Sequence, residues 1–335
     1  MIASRRILLA GLAARAALPG VAQAQTELPP VRLRRSITML VGGTEGSETA
    51  ALARVFAGFL GPRLGAPMPG GVEVIVRCQP GESGRTMLTA LADAFPSGAT
   101  IGWVVSPTLA ARMIDRDDPG LIRRIRIVGQ VEREPIAFLS PASDPANSVQ
   151  DIIRRAGDDA DAVPLGTPPA GSPPHLAALQ LQVLAQTRLS IVTFPSSAAA
   201  RQAVLAGNVS AAALGLSAVI GDVRDGNLTA IGIAAKRRFG LLPDAPILDE
   251  AGIPLAAFIR RGIAVPADTP EDIVATLADA VRAVAEDEAF SREAENSGYY
   301  AAWADAAAWR AQMDTEQAAL ARLWETDPWL SSSGG

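Results

Sequence analysis

Short apolar stretches alternate along this chain with stretches whose apolar residues recur at helical spacing. That alternation restricts the fold more than any other feature. Residues 36–41 and 72–76 have strand character, and 100–105 reads as a buried strand. Between and after them, 47–60 (Leu52, Val55, Phe56, Phe59, Leu60) and 85–94 carry helical periodicity. Two further strand candidates, 125–131 and 136–139, are separated by Glu132-Arg133-Glu134-Pro135. A second series follows: helices near 148–156, 173–186, 198–206 and 219–224 alternate with strands near 163–166, 190–194, 209–214 and 228–234. A last strand is expected at 262–265, and from Pro270 the pattern predicts helices only, over 270–285, 287–295 and 305–325. Alternation of this kind predicts an α/β architecture with mostly parallel sheets, and two such series predict two lobes.

The first residues have a different character. Arg5 and Arg6 precede a mostly apolar run from Ile7 to Val21, and Ala22-Gln23-Ala24 supplies the small-x-small pattern of a cleavage site. Residues 1–24 are therefore expected to be a signal peptide cleaved near Ala24, and the product to be periplasmic. The apolar run is short of the ~20 residues a spanning helix needs. Cleavage would remove three arginines and take the net charge from −5 to −8. An acidic chain lacks the basic footprint of a nucleic-acid binder. Cys78 and His175 are the only cysteine and histidine in 335 residues, which excludes a Cys/His zinc centre. No metal and no cofactor is expected.

Chemistry can be sought at three turns. In Thr167-Pro-Pro-Ala-Gly-Ser-Pro-Pro-His175, Ser172 is placed as an N-cap and Pro173 at the first helical position. The helix start would offer N–H groups and positive dipole above Gly171, but Pro173 and Pro174 remove two donors, so Gly171, Ser172 and His175 must supply most of the polar contacts. In Gly42-Gly43-Thr44-Glu45-Gly46-Ser47, glycines between a strand and a helix let backbone approach a ligand. This turn lacks the Gly-Lys-Ser/Thr ending of a P-loop. Ser106-Pro107-Thr108 follows a buried strand, at the carboxyl edge where open α/β sheets collect ligands. A Ser-His-acid triad would have to use His175, three residues after Ser172 at the start of one helix, and there is no Gly-x-Ser-x-Gly elbow. An enzyme is not expected.

Taken in order, these motifs resemble the exported solute-binding receptors of tripartite tricarboxylate transporters, the TctC or Bug family. The resemblance rests on Gly171-Ser-Pro-Pro-His-Leu-Ala-Ala178, Leu205-Ala-Gly-Asn-Val209, Ala234-Ala-Lys-Arg-Arg238 and Leu242-Pro-Asp-Ala-Pro246, the last followed by Asp249-Glu-Ala-Gly252. Val265-Pro-Ala-Asp-Thr-Pro270 also fits, and Gln79-Pro-Gly-Glu-Ser-Gly84 and Pro96-Ser-Gly-Ala-Thr100 fit in position with looser wording.

The resemblance implies a two-lobed periplasmic-binding-protein-like fold with a ligand cleft between the lobes. Lobe 1 would comprise 32–135 and 255–330, the C-terminal helices returning to it, and lobe 2 would comprise 136–254. It implies a small organic carboxylate held by Gly43, Thr44, Gly46, Ser47, Ser106, Thr108, Gly171, Ser172, His175, Phe194, Ser196 and Leu214. It also implies delivery to the membrane permease subunits of a tripartite transporter, and a monomeric receptor. An orphan receptor of the same fold, used for sensing or partner binding, is the alternative.

Three positions depart from the family pattern. The family Asp four residues before the Arg of the first helix is Ala50, before Arg54. Pro-Tyr-Lys-Gly is replaced by Thr193-Phe194-Pro195-Ser196, and Phe-Asp-Asn by Ala213-Leu214-Gly215. These losses predict a ligand more apolar or less charged than a tricarboxylate.

Overall fold

Strand and helix follow one another nearly as the periodicities require. A computed structural model describes residues 36–64, 71–144 and 148–330, and the expected signal peptide lies outside the described residues. The first series is β1 (Ser36–Val41), α1 (Glu48–Leu64), β2 (Glu73–Cys78), α2 (Arg85–Ala92), β3 (Thr100–Ser106) and α3 (Thr108–Asp115). A long strand, β4 (Ile125–Pro141), leads to α4 (Val149–Asp158), β5 (Leu165–Thr167), α5 (Pro173–Ala185), β6 (Ile191–Thr193) and α6 (Ser197–Leu205). Then come β7 (Ala211–Gly215), α7 (Ile220–Arg224), β8 (Leu228–Ile233) and β9 (Phe258–Pro266). The chain closes with α8 (Glu271–Ala285), α9 (Glu288–Asn296), β10 (Tyr300–Asp305) and α10 (Ala306–Thr326).

Among the described residues the strands join in one sheet ordered β2-β1-β3-β9-β4-β7-β5-β6, with β8 and β10 also paired to β4. Parallel ladders hold β2-β1-β3 at one end and β7-β5-β6 at the other. Every ladder made by β4 or β9 is antiparallel, so the sheet is mixed rather than mostly parallel. The reason is topological. From Ile125 to Pro135, β4 pairs with β9, and from Ile136 to Pro141 with β7 and β8. It therefore runs from one parallel end into the other, and β9 comes back beside it. Helices cover both faces of each end, which gives two lobes with apolar layers above and below the sheet.

Two expectations are corrected here. The break foreseen at 132–135 does not occur, because β4 runs straight through it for 17 residues. Glu132 and Glu134, which read as a polar loop, are fully buried. Their carboxylates accept from Arg261 on β9, Nη1 to Glu132 Oε1 at 2.8 Å and Nη2 to Glu134 Oε1 at 2.5 Å. Nor is the C-terminal region helical throughout. β10 intervenes, pairs with β4, and places Trp303 against Gly129. The C-terminal helices pack on the first lobe: the Phe290 ring of α9 lies 5.9 Å from Phe56 and 5.4 Å from Phe59 of α1. On the opposite face α10 buries Trp309, whose indole N–H donates to Ser106 Oγ at 3.3 Å.

Breaking the Arg261 pairing should unfold the crossing strands. Arg261→Met leaves two buried carboxylates without a counter-charge and is expected to cost about 3–5 kcal/mol. Denaturant titration measures the loss. Adding Glu132→Gln and Glu134→Gln to the same chain should recover part of it, since neutral amides need no counter-charge.

Candidate functional site

Each of the parallel strands β1, β2, β3, β5 and β6 is followed by a helix, so α1, α2, α3, α5 and α6 all begin at the carboxyl edge of the sheet. Their starts meet around one cavity of about 650 Å³. Ser47 and Glu48 of α1, Gly84 of α2, Thr108 of α3, Ser172 and Pro173 of α5, and Ser196 and Ser197 of α6 all line it. A helix leaves its first N–H groups without intrahelical partners and carries partial positive charge there. Five such ends around one space make it favourable to negative charge, α5 through its dipole alone, since Pro173 and Pro174 have no N–H and Ser172 takes that of His175.

Side-chain caps hold these turns. Ser196 Oγ accepts from the Ala199 N–H at 3.1 Å, and Ser172 Oγ from the His175 N–H at 3.5 Å. Ser47 Oγ accepts from the Ala50 N–H at 3.3 Å while its own O–H donates to the Thr44 carbonyl at 2.7 Å. Gly43 is required by this closure, because a Cβ there would stand 2.4 Å from Ser47 Oγ. Across the rim, Glu82 and Ser83 hold φ of 46° and 51°, a left-handed pair of non-glycine residues of the kind that gathers at functional sites.

The floor of the cavity is polar in a different way. Gly215, Ser217, Ile259 and Arg261 come from β7, the turn after it, and β9. Arg261 faces Glu132, Glu134 and, at 3.4 Å, Glu48. Burial works against the Arg261 charge, but the three carboxylates outweigh it and push its pKa up. For Glu48 the balance tips the other way. Burial and Glu134 together push its pKa up to about 7, against the pull of Arg261 and a hydrogen bond from Ser217. Arg201 also lines the cavity, but its guanidinium is held bidentate by Asp222 at 2.5 and 2.9 Å. Trp103 is fully buried at the wall, and its indole N–H has no hydrogen-bond partner among the described residues.

Of the residues expected at the site, Gly43, Thr44, Gly46, Ser47, Thr108, Ser172 and Ser196 line the cavity. Ser106, Gly171, His175, Phe194 and Leu214 are not among its walls. Leu214 is wholly buried in the apolar layer under α6, and Ser106 is tied to Trp309. Phe194 packs towards Gly166. Gly171 turns away with φ of 73°, and a Cβ there would collide with Arg112 Nη2 at 1.8 Å. His175 Nδ1 accepts from the Gly171 N–H at 3.4 Å, and burial beside Arg112 lowers its pKa to about 4. It is a neutral buttress behind the loop, and Pro168, Pro169, Pro173 and Pro174 present the loop to the cavity.

Sequence reasoning missed Trp103, Arg201, Ser217 and Arg261. Only Arg261 left a signal: two adjacent arginines in an apolar strand must point to opposite faces. Glu48 enters the cavity, whereas Glu45 pairs with Arg54 outside it. The acid missing at Ala50 is thus matched by one two residues earlier. Among the described residues no group of three or more His, Cys, Asp or Glu side chains is placed to hold a metal ion. No helix of the described residues is long and apolar enough to cross a membrane.

Known proteins share both the fold and the sequence pattern. The chain is 29% identical over 273 residues to a UPF0065 protein of Bordetella bronchiseptica, covering 81% of this chain and 77% of that one. A protein of R. palustris solved with adipate superposes with a TM-score of 0.78 at 21% identity, over 87% of this chain and 96% of that one. MatC of Rhodopseudomonas palustris, solved with bound malate, gives 0.75 at 22% identity, over 86% and 98%. These likenesses establish the two-lobed fold of periplasmic binding proteins. Residues 61–322 match the sequence model of the tripartite tricarboxylate transporter family receptor, TctC, and the chain belongs to that family.

Proposed function

We propose that this protein is an exported, non-catalytic receptor that captures a small organic carboxylate in the cavity. It would deliver the ligand to the membrane permease subunits of a tripartite transporter. The observation that carries this reading is the meeting of five helix starts at one cavity in a chain of this family. The anion would be held by backbone N–H groups around Gly43, Thr44, Gly46 and Ser47, by Thr108, and by the α5 and α6 starts at Ser172 and Ser196. Lobe 1 (32–135 and 255–330) and lobe 2 (136–254) would close on it about β4 and β9. Closure would dry the site and strengthen each hydrogen bond. Both walls come from one chain, so a monomer suffices. Removal of residues 1–24 would release the receptor into the periplasm.

Relatives of the same fold hold adipate and malate, both dicarboxylates. Here Trp103, Met87, Leu88, Val105 and Ile259 add apolar wall to the cavity. These walls favour a mono- or dicarboxylate with an apolar body over a tricarboxylate.

The test is a thermal-shift and calorimetric screen of refolded mature protein against mono-, di- and tricarboxylates. A ligand at 100 times its Kd adds ~2.7 kcal/mol to stability. Binding of citrate alone would reject the apolar-ligand reading, and no shift with any carboxylate would reject carboxylate capture.

Gly46 gives a charge test without steric cost, because a Cβ there would meet nothing within 4 Å. Gly46→Asp should lower affinity for the identified carboxylate at least about tenfold and leave the melting temperature within about a degree, whereas Gly46→Ala should bind normally. The added carboxylate opposes the ligand through ~3 kT or less of local potential, which suffices for that factor.

Affinity should also depend on pH through Glu48. Below about pH 7 its carboxyl is neutral, and above that it ionises and repels the bound anion. Binding therefore takes up a proton, and the Kd should rise between pH 6 and 8 by no more than about tenfold per unit. Isothermal titration across that range should show the slope, and Glu48→Gln should reduce it, any remainder coming from Glu132, whose pKa burial also pushes up to about 7.

A further inference from the structure

A strand has two faces, and those of the crossing strands meet very different surroundings. On β9, Ile259 and Arg261 face the cavity described above, while Phe258 and Arg260 face a second and larger one of about 1100 Å³. On β4, Arg133 lies between the buried Glu132 and Glu134 and lines this second cavity on the reverse side. Its other walls come from 235–240 after β8, from Tyr300 on β10, and from α5 and α10. It therefore draws on both lobes.

The charges here are one-sided. Arg133, Lys236, Arg237, Arg238 and Arg260 line the cavity against a single carboxylate, Glu316. Two of the cations are already matched: Arg238 by Glu250 at 2.8 Å, and Arg260 by Glu316 at 2.5 Å. Arg133, Lys236 and Arg237 make no ion pair among the described residues, and all three are exposed. Lys236 is the only lysine in the chain. In a protein of net charge −5, three unmatched cations in one concavity are a local reversal of sign.

The same concavity is aromatic. The Arg133 and Arg260 guanidinium carbons lie 5.7 and 5.1 Å from the Phe258 ring centre. Phe239 and Tyr300 pack with ring centres 4.4 Å apart. Arg133 and Arg260 are thus held near each other over one ring. Burial pushes the Arg260 pKa down, Glu316 offsets part of that, and the like charge of Arg133 adds to it. An anion beside Arg133 would relieve that repulsion, and a planar ring next to it would find aromatic and guanidinium faces to stack on.

We infer that this reverse face of the crossing strands is a second binding site, for a small aromatic carboxylate, separate from the cavity where the helix starts meet. Its carboxylate would be matched by Arg133, Lys236 and Arg237, and its ring by Phe258 and Tyr300. Because the walls belong to both lobes, an occupant would also bear on their closure. The inference does not depend on what the first cavity binds.

The lone lysine supplies the readout. With 2-naphthoate as probe, acetylation of Lys236 by N-hydroxysuccinimidyl acetate, followed by mass spectrometry, should slow at least fivefold at saturation. Calorimetry should give one naphthoate site that survives in Gly46→Asp and weakens at least tenfold in Arg133→Glu/Arg237→Glu. Both substitutions are at exposed positions, and an unchanged melting temperature verifies the fold. Naphthoate binding that fails in Gly46→Asp but persists in the double variant would overturn the inference and place the probe in the first cavity. Unprotected Lys236, or no saturable binding at all, would overturn it as well.

Discussion

The pairing of Arg261 with Glu132, Glu134 and Glu48 is the constraint on which the rest of the structure depends. It sits where β4 and β9 pass from one lobe to the other, so it fixes the register of the two strands that hold the lobes together. It also forms part of the cavity floor. One guanidinium cannot neutralise three carboxylates, and the imbalance appears at Glu48 and Glu132, whose pKa values are both pushed up to about 7, chiefly by burial. Glu48 keeps its proton to near neutral pH because burial, and then the nearby Glu134, outweigh the pull of Arg261. A buried ion cluster of this kind seldom adds net stability over an apolar equivalent. Here it sets the strand pairing, and it leaves a titratable group facing the ligand space.

Much of the architecture was legible because strand and helix periodicities are local. The order of elements, the Ser172 cap and most of the C-terminal helices follow from spacing and residue type, and in the structure Asp287 and Asp305 cap α9 and α10 as well. What failed was non-local. Glu132-Arg133-Glu134-Pro135 has the composition of a loop, and only Arg261, more than a hundred residues on, turns it into strand interior. Tyr300–Asp305 has no strand signal strong enough to interrupt a helical region, and β4 makes it a strand by pairing with it.

The site divides along the same line. Turns that follow strands were readable, and Gly43, Thr44, Gly46, Ser47, Thr108, Ser172 and Ser196, expected from them, line the cavity. Gly171 and His175 lie behind the cavity wall, and their motif has a structural cause. The turn must pass beside Arg112, whose side chain pairs with Asp115 at 2.5 Å, and Asp115 in turn accepts from the Trp329 indole at 2.8 Å. The motif holds the loop against the helices behind it, and the adjacent prolines and Ser172 face the cavity. Arg201 and Ser217 lie in stretches with no motif at all, and only the folded chain brings them to the wall.

An acidic protein cannot draw anions in by its overall field, so capture has to rest on the immediate surroundings of the ligand. The sheet supplies these by geometry. Parallel strands end on one edge, the helices after them start there, and partial positive charge accumulates without a single free cationic side chain at the cavity. Arg201 and Arg261 are both committed to carboxylates. The formal cations that are free lie instead on the reverse of the same strands, around Arg133, Lys236 and Arg237. Strand alternation makes that separation possible: Glu132 and Glu134 point one way and Arg133 the other, so one layer of backbone divides an acid-rich floor from a basic groove. An anion in front meets aligned dipoles and a protonatable acid, whereas an anion behind would meet full positive charge. The two faces should therefore differ in salt dependence, the rear being the more readily screened because its cations are exposed.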